Sequence, residues 1–238
     1  MFKKLSAVLL AASFVAAPVF ANDHGEHGDA AVAQAFIKEI QADQSGYAGM
    51  KGAAFFQELS KGQKPRATVV TCSDSRVHTN MLDKTPEGDL FMIRNIGNQA
   101  ATALGSVQYG VNHLNSSLLL IIGHSKCGAI AAAAASDSDK AKLEAPIQKE
   151  LDTIGKVTGN IDGVKTNVNN QVAAAKKEFA DKVKAGHLII VGAVYDFAND
   201  MKQGAGKLNV INVNGETDAA KITAALSAKA AASEHAHH

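Results

Sequence analysis

Residues 118–128 have the sequence LLLIIGHSKCG, and this stretch decides the fold. Its first five residues are large and apolar, which is typical of a β-strand buried on both faces of a sheet. The glycine and the polar residues that follow end the strand and begin a new segment. Residues 188–191 (LIIV), which continue towards Tyr195, form a second run of the same kind. Two such runs predict a parallel sheet covered by helices on both sides.

Shorter β-rich runs and helical stretches complete this pattern. The other predicted strands cover residues 67–71, 90–93 and, nearer an edge of the sheet, 208–213. Between the strands the sequence predicts helices over 100–114, 128–135, 141–154 and 167–185, with a C-terminal helix over 217–232. Strands that alternate with helices favour an α/β fold with a mostly parallel central β-sheet flanked by helices.

The segment before the first strand is predicted to be an N-terminal helical arm, residues 30–64. Its apolar residues recur at helical spacing, and a break is expected near Ser45 and Gly46. Because the arm carries more apolar surface than a leader needs, we expect it to pack on a partner subunit. The rest of the chain, 65–238, is predicted to be one zinc-binding α/β catalytic domain, for reasons given below.

The first 21 residues resemble a secretory signal peptide. Lys3 and Lys4 precede an apolar run, and Val19-Phe20-Ala21 supplies small residues at the positions that signal peptidase recognises. The alternative is an uncleaved N-terminal anchor. Cleavage after Ala21 would leave a flexible leader, residues 22–29, and a protein located in the periplasm or secreted.

The composition points to a small-molecule partner. Removing Lys3 and Lys4 leaves 22 basic and 23 acidic residues, a formal charge of about −1. This balance argues against nucleic acid and against an anionic membrane surface. Two cysteines, Cys72 and Cys127, remain in a protein bound for an oxidising compartment, so a structural disulfide is one interpretation of the pair.

Two short motifs place the cysteines in a different chemical context. Cys72-Ser73-Asp74-Ser75-Arg76 follows one predicted strand, and His124-Ser125-Lys126-Cys127-Gly128 follows another. Open α/β sheets bind their ligands at the carboxyl ends of strands, so both motifs should lie at that edge. Two thiolates and one imidazole satisfy zinc and leave its fourth position open, as in a catalytic site.

Asp74 and Arg76 lie on the same predicted loop as Cys72. A carboxylate beside a metal-bound water can accept its hydrogen bond and orient it, while a paired guanidinium keeps that carboxylate ionised. The alternative is a plain salt bridge within the loop.

These motifs together resemble the β-class carbonic anhydrases, in which CSDSR and GHSKCG are a signature pair. The likeness runs from about Lys61 to Val213 and includes the segments 61–65, 88–91, 94–98, 108–110 and 191–196. By this resemblance Cys72, His124 and Cys127 are ligands of one Zn²⁺ per chain. The resemblance also makes Asp74 and Arg76 the catalytic pair.

The resemblance extends to the substrate pocket of plant-type members. Gln63, Phe91 and Tyr109 match that pocket's glutamine, phenylalanine and tyrosine in residue type and offset, although Phe91 could instead be core. One departure concerns Val69, which replaces a tryptophan that helps form a non-catalytic bicarbonate site in some bacterial members. The chain has no tryptophan, which puts such a site in doubt.

The resemblance implies a lyase that hydrates carbon dioxide reversibly to bicarbonate and a proton, by attack of zinc-bound hydroxide on carbon dioxide. It also implies a homodimer or a dimer of dimers, in which the pocket glutamine reaches the zinc of the opposite chain. Three rivals remain: an enzyme that hydrolyses carbon disulfide or carbonyl sulfide, a non-enzymatic protein with a Cys72–Cys127 disulfide, and a zinc-storage module.

Overall fold

The computed structural model describes residues 30–227 and contains the predicted sheet. Its strands are β1 (Ala67–Cys72), β2 (Leu90–Asn95), β3 (Leu118–His124), β4 (Ile189–Asp196) and β5 (Lys207–Val213). They are ordered β2-β1-β3-β4-β5, and every neighbouring pair is parallel except the antiparallel pair β4–β5 at one edge. The predicted α/β fold with a mostly parallel sheet is confirmed.

Helices occupy the connections between these strands. They are α1 (Ala30–Leu59), α2 (Leu104–Gln108), α3 (Gly128–Ala133), α4 (Asp137–Lys140), α5 (Ala145–Asp152), α6 (Ile161–Glu178), α7 (Ala180–Lys184) and α8 (Ala219–Ser227). A π-helical turn, Tyr109–His113, continues α2, and a 3₁₀ turn spans Thr79–Met81.

Several predicted helix boundaries are wrong, and local chemistry explains them. The predicted helix 141–154 is shorter, because Pro146 in the first turn of α5 has no N–H and favours a helix start there, so α5 begins at Ala145 and ends at Asp152. The predicted helix 167–185 begins earlier, since the Asn160 side chain accepts hydrogen bonds from the backbone N–H groups of Asp162 and Gly163. The predicted helix 100–114 begins later, because the Ala100 N–H donates to the Gln171 side chain, 2.9 Å away.

The expected break near Ser45 and Gly46 is also wrong. Helix α1 runs through both residues, and its one non-helical backbone conformation is at Gly52 (φ 76°, ψ 167°). Within the described residues, 30–46 and 47–227 belong to two separate units, and every residue of 30–46 is solvent-exposed. The predicted signal peptide (1–21), the leader (22–29) and the end of the C-terminal helix lie outside the described residues.

Helix α6 covers one face of the central strands at close range. Gly123 on β3 and Gly192 on β4 face Val168 of α6, and a Cβ at either glycine would lie 2.7 Å from that valine side chain. The strands themselves are fully buried at Val70, Ile121 and Ile190, as expected for a sheet covered on both sides. None of the described helices is long and apolar enough to cross a membrane.

Strand register brings the two sequence motifs together. In the parallel pair β1–β3, Thr71 lies opposite Ile122, so the residues that follow both strands emerge at the same edge of the sheet. Cys72 ends β1, His124 ends β3, and Cys127 directly precedes α3.

Candidate functional site

Three side chains converge at this edge of the sheet. One ligand atom each from Cys72, His124 and Cys127 lies within 4.8 Å of the others, and all three residues are buried. Both cysteines are free thiols, not a disulfide. Two thiols and one imidazole at this spacing match the ligand set of a zinc site with one open position.

The hydrogen bonding of His124 fits a metal ligand. Its Nδ1 lies 2.9 Å from the carbonyl oxygen of Ser125, and because a carbonyl only accepts, Nδ1 must carry the proton. The Nε2 atom then presents a lone pair, and it is buried without a hydrogen-bond partner. A buried acceptor of this kind is costly unless something binds it, and zinc would bind it.

The two thiols differ in acidity because they lie side by side. A hydrogen bond from Cys127 lowers the pKa of Cys72 to about 4, and the backbone N–H of Gly97 acts in the same direction. The neighbouring Cys72 thiolate and burial raise the pKa of Cys127, although the N–H groups of Ile130 and Ala129 oppose that rise. The two thiols therefore differ in acidity, and a metal ion that bound both sulfurs would favour the thiolate form of each.

Asp74 and Arg76 form a bidentate ion pair beside these ligands. Arg76 Nε donates to Asp74 Oδ1 at 2.9 Å, and Nη2 donates to Oδ2 at 2.7 Å. These hydrogen bonds lower the pKa of Asp74 to about 2, so the carboxylate is ionised at any neutral pH. Asp74 Oδ2 lies 3.8 Å from His124 Nε2, which places an acceptor next to the open face of the ligand set.

The predicted pocket residues lie elsewhere in the chain's own fold. Phe91 and Tyr109 contact each other with ring centroids 5.8 Å apart, and Phe91 pairs with Thr68 in the sheet. Thr68 precedes Cys72 by four residues, roughly 13 Å along an extended strand. Gln63 lies before β1, is exposed, and makes no side-chain hydrogen bond within the described residues. All three therefore sit towards the amino end of β1, whereas the thiols lie at its carboxyl end.

Arg94 on β2 holds the loop that carries Asp74. Its guanidinium donates to the backbone carbonyl oxygens of Cys72 (3.2 Å), Asp74 (2.8 Å) and Val77 (2.7 Å). Sequence reasoning gave Arg94 no role. An arginine directly after the apolar run 90–93 was the available signal.

The turn after β4 also supports the metal-binding group, although it lies outside both sequence motifs. Buried Asp196 accepts hydrogen bonds from the N–H groups of Asp200 (3.0 Å) and Met201 (2.7 Å). Burial opposes ionisation of Asp196, but these and further hydrogen bonds outweigh it and lower the pKa of the carboxyl. The turn presents Phe197, whose ring stacks on His124 at a centroid distance of 5.9 Å.

Comparison with known proteins agrees with this geometry. A sequence model of the family described as carbonic anhydrase matches residues 67–205, which include all three candidate ligands. Carbonic anhydrase 2 of Mycobacterium tuberculosis is 31% identical over 150 residues, which cover 58% of this chain and 72% of that protein. The solved β-carbonic anhydrase CcaA is 28% identical, with a TM-score of 0.56 over 70% of this chain and 84% of that one.

The chain belongs to the β-class carbonic anhydrases. A tetrameric β-carbonic anhydrase of Sordaria macrospora shares the fold, with a TM-score of 0.61 at 20% identity over 76% of this chain and 97% of that one. This β-carbonic anhydrase is a zinc enzyme that hydrates carbon dioxide, and Cys72, His124 and Cys127 form its metal-binding group.

Proposed function

We propose that this β-carbonic anhydrase carries out its reaction at the Cys72–His124–Cys127 group, with Asp74 and Arg76 as the catalytic pair. The observation that supports it best is the unpartnered Nε2 of His124, which faces both thiols and Asp74 Oδ2. Zinc held by these three residues would lower the pKa of a water ligand and would so supply a hydroxide nucleophile near neutral pH.

The ion pair gives Asp74 a specific task in this reaction. Asp74 Oδ2 accepts the O–H hydrogen bond of the attacking oxygen and thereby turns a lone pair of that oxygen towards carbon dioxide. Arg76 occupies both carboxylate oxygens, which fixes the carboxylate plane and keeps it ionised. The two thiolates would cancel the charge of a bound Zn²⁺ and make it a weaker Lewis acid than zinc held by neutral imidazoles. The orientation of the attacking oxygen by Asp74 therefore matters more at this site.

Metal analysis combined with a hydration assay tests this proposal. Protein purified without chelator should contain about one zinc per chain, with both cysteines reduced, because a site of this type holds a single ion that protects its thiolates. Assays with carbon disulfide and carbonyl sulfide should give much lower rates than the assay with carbon dioxide. An active protein whose intact mass reveals a Cys72–Cys127 disulfide would contradict the proposal.

We further propose a homodimer, alone or as half of a dimer of dimers, in which each subunit completes the pocket of the other. Four apolar residues of α1, Val32, Phe36, Ile37 and Ile40, are each at least 44% exposed, an apolar face that a second copy would cover. Gln63, Phe91 and Tyr109 lie away from the chain's own zinc group, as residues that serve a partner's pocket would. The Sordaria relative is described as tetrameric, which also supports self-association.

Complementation between one impaired and one inactive variant should detect the shared pocket. Gln63→Ala should keep zinc and assembly but lower the hydration rate roughly 10-fold, because a group that orients the substrate is lost. In a mixture of Gln63→Ala and Cys127→Ala chains, each mixed dimer has one pocket with intact zinc ligands and an intact partner glutamine. Activity per zinc should therefore rise above that of Gln63→Ala alone.

Lys64→Ala is the matched control, because Lys64 is exposed in the same segment. It should leave both the rate and the complementation unchanged. A mixture that gains nothing although light scattering and mass spectrometry reveal mixed dimers would place the glutamine in its own chain's pocket.

We also propose that the protein is exported and acts in the periplasm or outside the cell. The support is the sequence of residues 1–21, with two lysines, an apolar run and a small-residue cleavage site. N-terminal sequencing of protein from the source cells should find Asn22, or a residue close to it, at the start of the mature chain. Active cytosolic protein that begins at Met1 would refute the proposal.

A further inference from the structure

Phe197 lies at a junction between the metal-binding group and the ion pair. The carbon at the centre of the Arg76 guanidinium lies 4.7 Å from the centroid of the Phe197 ring. The same ring stacks on His124 with a centroid distance of 5.9 Å and an interplanar angle of 26°. One half-buried aromatic side chain therefore contacts a zinc ligand and the partner of Asp74 at once.

The contact between the Phe197 ring and Arg76 uses none of the N–H donors of Arg76. Arg76 already donates from Nε and Nη2 to Asp74, and from Nη2 to the backbone carbonyl of Lys126 at 3.2 Å. An aromatic face attracts the guanidinium through its π-electrons and competes for none of these N–H groups. The hydrogen bonds of Arg76 lie in the guanidinium plane and do not restrain movement perpendicular to it. The Phe197 ring restrains that movement.

The Phe197 ring is itself held by the loop that carries the metal ligands. Ser125 Oγ accepts a hydrogen bond from the Ala198 N–H at 3.2 Å, and the Ser125 N–H donates to the Tyr195 carbonyl at 3.1 Å. Tyr195 packs edge-on against Phe197 with ring centroids 5.7 Å apart. These contacts join the turn after β4 to the residue next to His124, so the ring has little freedom to move away.

From this arrangement we infer that Phe197 is a positioning residue for the catalytic pair. Its ring face packs against the Arg76 guanidinium and keeps it in the plane in which it pairs with Asp74, while the same ring stacks on His124. The inference rests on the proposed role of Asp74 and Arg76, and it assigns a function to a residue outside both signature motifs. Phe197 makes no contact with substrate in this account and acts through Arg76 alone.

A series of fluorinated phenylalanines at position 197 tests the inference with little change in side-chain size. Fluorine withdraws charge from the ring face, so 4-fluoro-, 3,5-difluoro- and pentafluorophenylalanine weaken a cation–π contact step by step. The rate constant kcat/KM for carbon dioxide should fall with each step, by about threefold to tenfold over the series. Zinc content and assembly should not change. Pentafluorophenylalanine at Phe179, which is buried in the core, is the matched control and should leave kcat/KM unchanged.

A second measurement follows Arg76 directly and does not depend on activity. The chain has only three arginines, Arg66, Arg76 and Arg94, so labelling arginine with ¹⁵N gives a simple set of Nε–H signals. In the zinc-loaded and the zinc-free protein, pentafluorophenylalanine at position 197 should speed hydrogen exchange of the Arg76 signal several-fold. The signals of Arg66 and Arg94 serve as internal references.

The two measurements separate failure of the inference from failure of the proposed function. An Arg76 signal that stays unchanged across the series would overturn the inference, whatever happens to the rate. Faster exchange at Arg76 with an unchanged kcat/KM would uphold the positioning role but refute the catalytic role of the ion pair. Faster exchange together with a graded loss of rate would support both.

Discussion

Cys127→Ala should remove zinc and carbon dioxide hydration together. The substitution deletes one of the three ligands that converge within 4.8 Å, and it leaves a single thiolate to balance the dication. The loss should exceed the roughly 10- to 100-fold effect that follows removal of a group which only supports a metal ligand. Metal analysis after dialysis and a hydration assay on the same sample measure both quantities.

Thermal unfolding separates this loss from general destabilisation. A ligand that binds only the folded state stabilises it, by about 4 kcal/mol when its concentration is a thousand times the Kd. Added zinc should therefore raise the Tm of zinc-free wild-type protein and should not raise that of Cys127→Ala. Leu151→Ala is the matched control, because Leu151 is buried in the same core cluster and its truncation costs about 2–5 kcal/mol. That variant should have a lower Tm and still bind zinc.

The strands and the metal ligands could be predicted because each depends on short stretches of sequence. Apolar runs fixed the positions of β3 and β4, and the register of parallel strands then required Cys72 and His124 to meet at one edge. Neither the positions of these strands nor the meeting of the two ligands depends on side-chain contacts between residues far apart in the chain. The same locality explains why helix boundaries were less predictable, since Pro146 and Asn160 act through a single side chain each.

Contacts between distant segments were not predictable. Phe197 approaches Arg76 only because β4 follows β3 in the sheet order, and no periodicity in the sequence signals a cation–π pair. The break in α1 illustrates another limit. Glycines occur at positions 46, 49 and 52, all of them permissive, and only Gly52 has a positive φ.

Asp74→Asn should keep zinc and lose roughly 10- to 100-fold in kcat/KM, the scale expected for a group that orients a metal ligand. An amide carries no charge, and its nitrogen donates where the carboxylate accepted, so the attacking oxygen loses its acceptor and Arg76 loses its bidentate partner. The pH dependence gives a further test. Hydrogen bonds from Arg76 hold the pKa of Asp74 at about 2, below the ordinary 3.8. Protonation of Asp74 should therefore lower activity only as the pH falls towards about 2.

Asp89→Asn is the control for Asp74→Asn, because it breaks the same type of ion pair at a different place in the structure. Asp89 also pairs bidentately with an arginine, Arg66, whose Nε donates to Asp89 Oδ1 at 2.7 Å, and that pairing also lowers the pKa of Asp89 to about 2. This pair lies before β1 and β2, at the opposite end of the strands from the zinc group. Asp89→Asn should cost stability with little loss of rate per bound zinc. Equal losses of rate in both variants, or a fully active Asp74→Asn, would show that the ion pair at Asp74 serves the loop structure and not the reaction.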